Sequence, residues 1–149
     1  MYKKSKKIKT PANYDFESNN QRYDFTKICR DMQHSKAWKE LNLRQHGLYL
    51  HLKSKFTVNK QTLDTNKDNI SIPTAEAKTL YGDLRTFRDD IDNLIKLGFI
   101  RQIVSGVPTL NASIYGFSDK WKYYGTENFF IPKEDERYIP ERFRKDKNT

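Results

Sequence analysis

The sequence predicts an α+β fold that is mostly helical and carries a small antiparallel sheet, and three observations lead there. Residues 83–97 repeat apolar side chains at helical spacing, with Phe87, Ile91, Leu94 and Ile95 on one face. Gly98 ends that helix, since glycine adopts the left-handed closing conformation at little cost, and Phe99 to Val104 then has strand composition. Ser105-Gly-Val-Pro108 is turn chemistry, and Leu110 to Phe117 supplies a returning strand.

The elements can be justified in chain order. Residues 1–22 form a basic arm with Lys3, Lys4, Lys6, Lys7 and Lys9 and too little apolar surface to offset the entropy of ordering it, so it is expected to be flexible. Asp24 is placed to cap a helix whose inner face holds Phe25, Ile28, Cys29 and Met32, with Cys29 expected as a buried thiol. Ser35 caps a short segment carrying Ala37, Trp38 and Leu41. Asn42 and Gln45 have capping-box spacing and open a helix to about Phe56 that buries Leu48, Leu52 and Phe56 beside Tyr49. Gly47 inside it costs roughly 1 kcal/mol relative to alanine, and a close helix crossing is the expected reason.

Thr57 to Asn69 reads as a loop. Its Asp64, Asn66 and Asp68 match the first ligands of a calcium-binding loop, but Asn69 stands where that loop needs glycine and Ala75 where it needs glutamate. Ile70 to Ile72 can add a third strand. Pro73 and Thr74 start the next helix, with the threonine hydroxyl as cap and Ala77, Leu80 and Tyr81 as its apolar face. After the strands, Ser118 to Gly125 makes a brief helix whose Trp121 completes the core. Residues 126–149 form an aromatic and charged extension that either wraps the domain or packs on a second copy. The expected organisation is therefore an arm at 1–22, a domain at 23–125 with its core motif at 70–117, and an extension at 126–149.

Lysine and arginine number 28 against 19 acidic residues, a net charge of +9, which favours polyanionic partners. One cysteine allows no intramolecular disulfide and suits a reducing cytoplasm. No apolar run approaches the roughly 20 residues a membrane helix needs, so no membrane partner is expected. The sequence contains no glycine-rich phosphate loop, nucleophile turn or metal-ligand cluster, and His34, His46 and His51 lack an i, i+4 partner. It is therefore read as a non-enzyme without metal or cofactor.

Ile72-Pro-Thr74, Leu80-Tyr-Gly82, Thr86-Phe-Arg88 and Leu94-Ile-Lys-Leu-Gly-Phe-Ile100 together resemble a winged helix-turn-helix DNA-binding domain. With Trp38, Leu41 and Tyr115-Gly-Phe-Ser-Asp-Lys-Trp121, the chain resembles the small winged-helix proteins of Gram-positive plasmids and conjugative elements. The resemblance implies a sequence-preferring binder of double-stranded DNA at an origin or operator of a mobile element, serving replication, conjugative transfer or transcription regulation. A homodimer and further proteins of a nucleoprotein complex are its implied partners. The rival implication is a protein-interaction module that recruits an acidic partner.

In this reading the helix after Gly82 is the reading helix. Counting 100° per residue places Arg85, Thr86, Asp89, Asp92, Asn93 and Lys96 outward, with Arg88 lateral. Arg85 suits guanine, Thr86 a phosphate or a thymine methyl, Asn93 adenine, Asp89 a cytosine amino group, and Arg88 a phosphate. Arg101 and the uncharged tip at Ser105 and Thr109 belong to the wing, and Lys3, Lys4, Lys6 and Lys7 would follow phosphates. Only three residues separate Gly82 from Thr86, one fewer than in common bacterial winged helices, so the docking pose is expected to be rotated. The helix carries Asp83, Asp89, Asp90 and Asp92 against Arg85, Arg88 and Lys96. Arg85 with Asp89 and Asp92 with Lys96 are expected as i, i+4 pairs. Phosphate attraction is expected from elsewhere, with Lys120, Lys122, Arg142, Arg144, Lys145 and Lys147 as further sources.

Overall fold

The computed structural model describes residues 25–107 and 111–141. Among the described residues, five α-helices and three strands follow one another as α1 (Arg30–His34), α2 (Lys36–Glu40), α3 (Leu43–Ser54), β1 (Ile70–Ser71), α4 (Thr74–Tyr81), α5 (Leu84–Lys96), β2 (Ile100–Val104) and β3 (Ile114–Phe117). Two 3₁₀ turns come after them, at Lys120–Tyr123 and Lys133–Asp135. The result is an α+β fold with a three-stranded antiparallel sheet in the order β1-β3-β2.

Local chemistry sets most helix ends. The Ser35 side chain accepts from the Trp38 amide, and the capping box at Asn42 and Gln45 is closed in both directions. Asp83 caps α5. Pro73, not Thr74, is the N-cap of α4, and no side chain caps that end. The first helix is shorter than the periodicity predicted. It begins at Arg30, Cys29 is its exposed N-cap, Phe25 is exposed, and Asp24 lies outside the described residues. The expectation of a buried thiol is therefore corrected.

The core lies between α3, α5 and the inner face of the sheet. Phe99, Leu52, Ile91, Leu94 and Ile100 are its largest fully buried apolar side chains. Around Phe99, Trp38 and Tyr49 approach edge-on at 5.8 and 5.4 Å, and Trp121 stacks at 6.1 Å, so the turn after β3 closes the core. Leu80 departs from expectation and faces solvent, while Phe56 is only half-buried. Across the base of the domain, Glu76 of α4 accepts from His51 at 2.6 Å and from Lys55 at 2.8 Å. The hydrogen bond from Lys55 is the main reason its carboxyl lies below the ordinary range.

Residues 126–141 return to this domain. Ile131 packs on the core, Asp135 is buried and takes an ion pair from Lys120, and the Tyr138 amide donates to Gln102 Oε1 of β2 at 2.6 Å. The described part of the extension thus makes contacts with its own domain.

Two glycines respond oppositely to a side chain. Gly98 has φ 84°, and a β-carbon there would lie 2.6 Å from the Trp121 amide nitrogen, whose N–H donates to the Gly98 carbonyl at 3.1 Å. Gly47 has no neighbour within 4 Å of a would-be β-carbon, so the expected helix crossing is absent. Gly98→Ala should therefore destabilise by about 2–5 kcal/mol, combining left-handed strain with overpacking. Gly47→Ala should stabilise by about 1 kcal/mol. Urea unfolding measures both, and a neutral Gly98→Ala would contradict this account of the close approach.

Candidate nucleic-acid interface

The turn between α4 and α5 consists of Gly82 and Asp83. Asp83 accepts from the amides of Arg85 at 3.0 Å and Thr86 at 3.2 Å, and from the Thr86 hydroxyl at 2.8 Å. Those bonds, the one from the Arg85 amide foremost, hold the Asp83 carboxyl below its ordinary range. Thr86 is consequently half-buried, with its hydroxyl committed to the cap.

Asp90 sets how α5 is turned. It sits within the apolar face, 1% exposed, and is the meeting point of donors from two other helices. Arg44 of α3 forms a two-pronged pair with it, Nε to Oδ2 at 2.5 Å and Nη2 to Oδ1 at 3.0 Å. Gln45 Nε2 donates to Oδ1 at 3.0 Å, and the hydroxyl of Tyr81, at the end of α4, donates to Oδ2 at 2.8 Å. Burial pushes the Asp90 carboxyl up. The bonds from Arg44, Gln45 and Tyr81 outweigh burial, and the carboxyl ends below its ordinary value. Burial and the adjacent carboxylate push the Tyr81 phenol up, which keeps it a donor.

The same network engages one predicted contact residue. Asn93 is turned toward α3 rather than outward, and its amide donates to Gln45 Oε1 at 2.9 Å. That oxygen also accepts from the Asn42 amide at 3.1 Å, so the capping side chain of α3 carries the link to α5 as well. A base contact by Asn93 would first have to break this bond.

Outward, α5 presents Arg85, Arg88, Asp89 and Lys96, all exposed. Neither expected i, i+4 pair forms. Arg85 and Asp89 make no ion pair among the described residues, and Asp92 is held by Arg137 rather than Lys96, with two bonds of 2.8 Å. The charge of the helix therefore has to be recounted by position. Asp90 points inward and Asp92 is matched by Arg137, which leaves three cations on the solvent side against Asp89 and the exposed capping carboxylate of Asp83.

The strand pair beside α5 supplies less charge than expected. Arg101 donates to Asp68 at 3.1 Å, and Lys120 is engaged by Asp135. Lys122 is exposed and stands 5.7 Å over the Trp121 ring. Ser105 Oγ accepts from the Val107 amide at 3.3 Å, and Ser113 Oγ accepts from the Gly106 amide at 3.0 Å, which shapes the approach to the tip. A bulge interrupts the pairing between Gln102 and Val104, and Ile103, Val104 and Val107 are exposed. Thr109, the arm lysines Lys3, Lys4, Lys6 and Lys7, and Arg142, Arg144, Lys145 and Lys147 lie outside the described residues.

Among the described residues no group of three His, Cys, Asp or Glu side chains is arranged to hold a metal ion, and no helix is long and apolar enough to cross a membrane. Two residues that matter here were missed in the sequence. Asp90 had a signal, since its position three residues after Phe87 and four before Leu94 puts it on the buried face. Arg137 had none. No family model, curated protein or solved structure matches this chain.

A depressed carboxyl contributes stability above its unfolded-state pKa and loses it as pH falls through the lower folded-state value. Asp90→Asn should cost about 2–4 kcal/mol at neutral pH, because Tyr81, Gln45 and Arg44 lose a charged acceptor. Its unfolding curve should also approach that of the parent as pH drops through the acid range. Parallel stability profiles from about pH 7 to pH 2 would show that Asp90 carries no such linkage.

Proposed function

We propose that this chain is a non-catalytic, sequence-preferring, double-stranded DNA-binding protein of winged helix-turn-helix type, acting in the cytoplasm, with α5 as its reading helix. The observation that carries the reading is the positional charge of α5, whose solvent side holds Arg85, Arg88 and Lys96 against Asp89 and the capping Asp83 once Asp90 and Asp92 are accounted for. The acidic helix counted from sequence would repel phosphate, and this face attracts it. The helix pair α4 and α5, followed by β2 and β3 with β1 on the far side of β3, is compatible with a winged-helix layout. The overall charge of +9 acts in the same direction.

In this mode Arg85, in the first turn, addresses a base edge, and Arg88 and Lys96 take phosphates. Asp89 accepts from a base amino group. Arg101 and the segment around Ser105 approach the backbone from the side of the strand pair. Placement at an origin or operator of a mobile element, with a second copy or other proteins in the same complex, rests on the sequence resemblance alone.

A second reading, a winged-helix module for protein partners, is favoured by the outer side of α3. Leu43 and Leu50 are exposed there, opposite the buried Leu48 and Leu52.

Fluorescence anisotropy on a mixed-sequence duplex separates the two readings. Duplex binding should appear at roughly 50 mM salt and weaken steeply as salt rises, because bound cations are released from the phosphates. Arg85→Ala should cost about 1–3 kcal/mol on a selected site and relax sequence preference there. An undetectable low-salt affinity would overturn the duplex reading in favour of a protein partner. Equal loss on every sequence after Arg85→Ala would reject base reading by that residue.

A further inference from the structure

The segment from Pro132 to Tyr138 crosses from the end of the fold onto α5. Its ties are polar and lie on both sides of Arg137. Asp135, buried, is engaged by Lys120, and the Tyr138 amide donates to Gln102 Oε1 at 2.6 Å. Between them Arg137 directs both Nε and Nη2 at the Asp92 carboxylate, each at 2.8 Å. The Arg137 side chain is 20% exposed and that of Asp92 is 40% exposed, so the pair sits at the rim of the outward face of α5.

Two features separate this strap from a plain packing segment. Gln102 Nε2 is buried without a hydrogen-bond partner among the described residues, while the other end of that amide takes the Tyr138 N–H. The guanidinium fork is also occupied by Asp92. It is placed to cancel a carboxylate rather than to project toward a ligand.

We propose that Arg137 is a positioning residue for polyanion contact: delivered by the strap, it cancels the charge of Asp92 and so strengthens the attraction of the outward face of α5 for a phosphate backbone. The inference rests on the reading that this face meets a duplex. Without Arg137, Asp92 would stand bare one turn from Arg88 and one turn from Lys96, about 6 Å along the helix axis from each and inside the roughly 10 Å over which charges act at moderate salt. The strap thereby raises by one the net charge of a surface to which it adds no contact of its own. A chain lacking it would keep α5 and lose much of the attraction.

The test is a charge cycle on the full chain, with Arg137→Ala, Asp92→Asn and the double variant, read by anisotropy on a mixed-sequence duplex and by elution salt from heparin. Lys55→Ala and Glu76→Gln, an ion pair between the end of α3 and α4, make the same changes in net charge and serve as the control. Arg137→Ala should bind about three- to tenfold more weakly, Asp92→Asn more tightly by a similar factor, and the double variant within about twofold of the parent. The control variants should shift by less than about twofold. A double variant as weak as Arg137→Ala would overturn the proposal, because direct contact or docking would then be the role of Arg137. Control shifts as large as those at Asp92 would overturn it too, leaving net charge alone as the cause. Loss of duplex binding in the parent, with the order kept on heparin, would sink the duplex reading and leave the neutralisation standing. Absence of both would sink both.

Discussion

The Asp90 carboxylate lies where α3, α4 and α5 converge, and the geometry of the rest follows from satisfying it. A buried carboxylate without partners is strongly unfavourable, so α5 can dock only in the rotation that brings Asp90 to Arg44, Gln45 and Tyr81. Apolar packing by Phe87, Ile91 and Leu94 alone would tolerate small rotations of the helix. The hydrogen-bonded carboxylate does not, because each donor comes from a fixed position on another helix. The network continues through Gln45 to Asn42 and Asn93, so the start of α3 and the middle of α5 form one polar unit above an apolar core.

With that rotation set, the charges of α5 divide into two populations that a linear count mixes together. Asp90 belongs to the interior and helps hold the fold. Arg85, Arg88, Asp89 and Lys96 belong to the solvent side. Asp92 lies at the boundary, and the return of the chain through Arg137 decides on which side of the electrostatic balance it falls. Fold and surface potential are thus coupled through two aspartates two positions apart in sequence. This coupling makes a helix with more acids than bases a reasonable candidate for meeting a polyanion.

Much of the fold was legible because it depends on local chemistry. The periodicity of Phe87, Ile91, Leu94 and Ile95, the stop at Gly98 and the box at Asn42 and Gln45 each involve residues within a turn or two of one another. The short strand at Ile70 and the returning strand that holds Tyr115 were expected too, and their pairing is the structure's addition. What was not legible depends on distant partners. Asn93 looked solvent-facing from its helical position, but Gln45, 48 residues earlier, supplies an acceptor that turns it inward. Arg44 and Arg137 carry no local mark of the carboxylates they serve. Cys29 was placed on a helix face because the spacing of Phe25, Ile28 and Met32 imitates a turn that the backbone does not form.

We propose above all that, with Asp90 seated, the solvent side of α5 meets a duplex. Chemical-shift mapping during titration with a mixed-sequence duplex at low salt tests it directly. The largest changes should fall on the side chains of Arg85, Arg88 and Lys96 and on the adjoining amides, while the Arg44, Gln45 and Tyr81 resonances stay in place. Changes concentrated instead at Leu43 and Leu50 on the outer side of α3, with α5 silent, would contradict it.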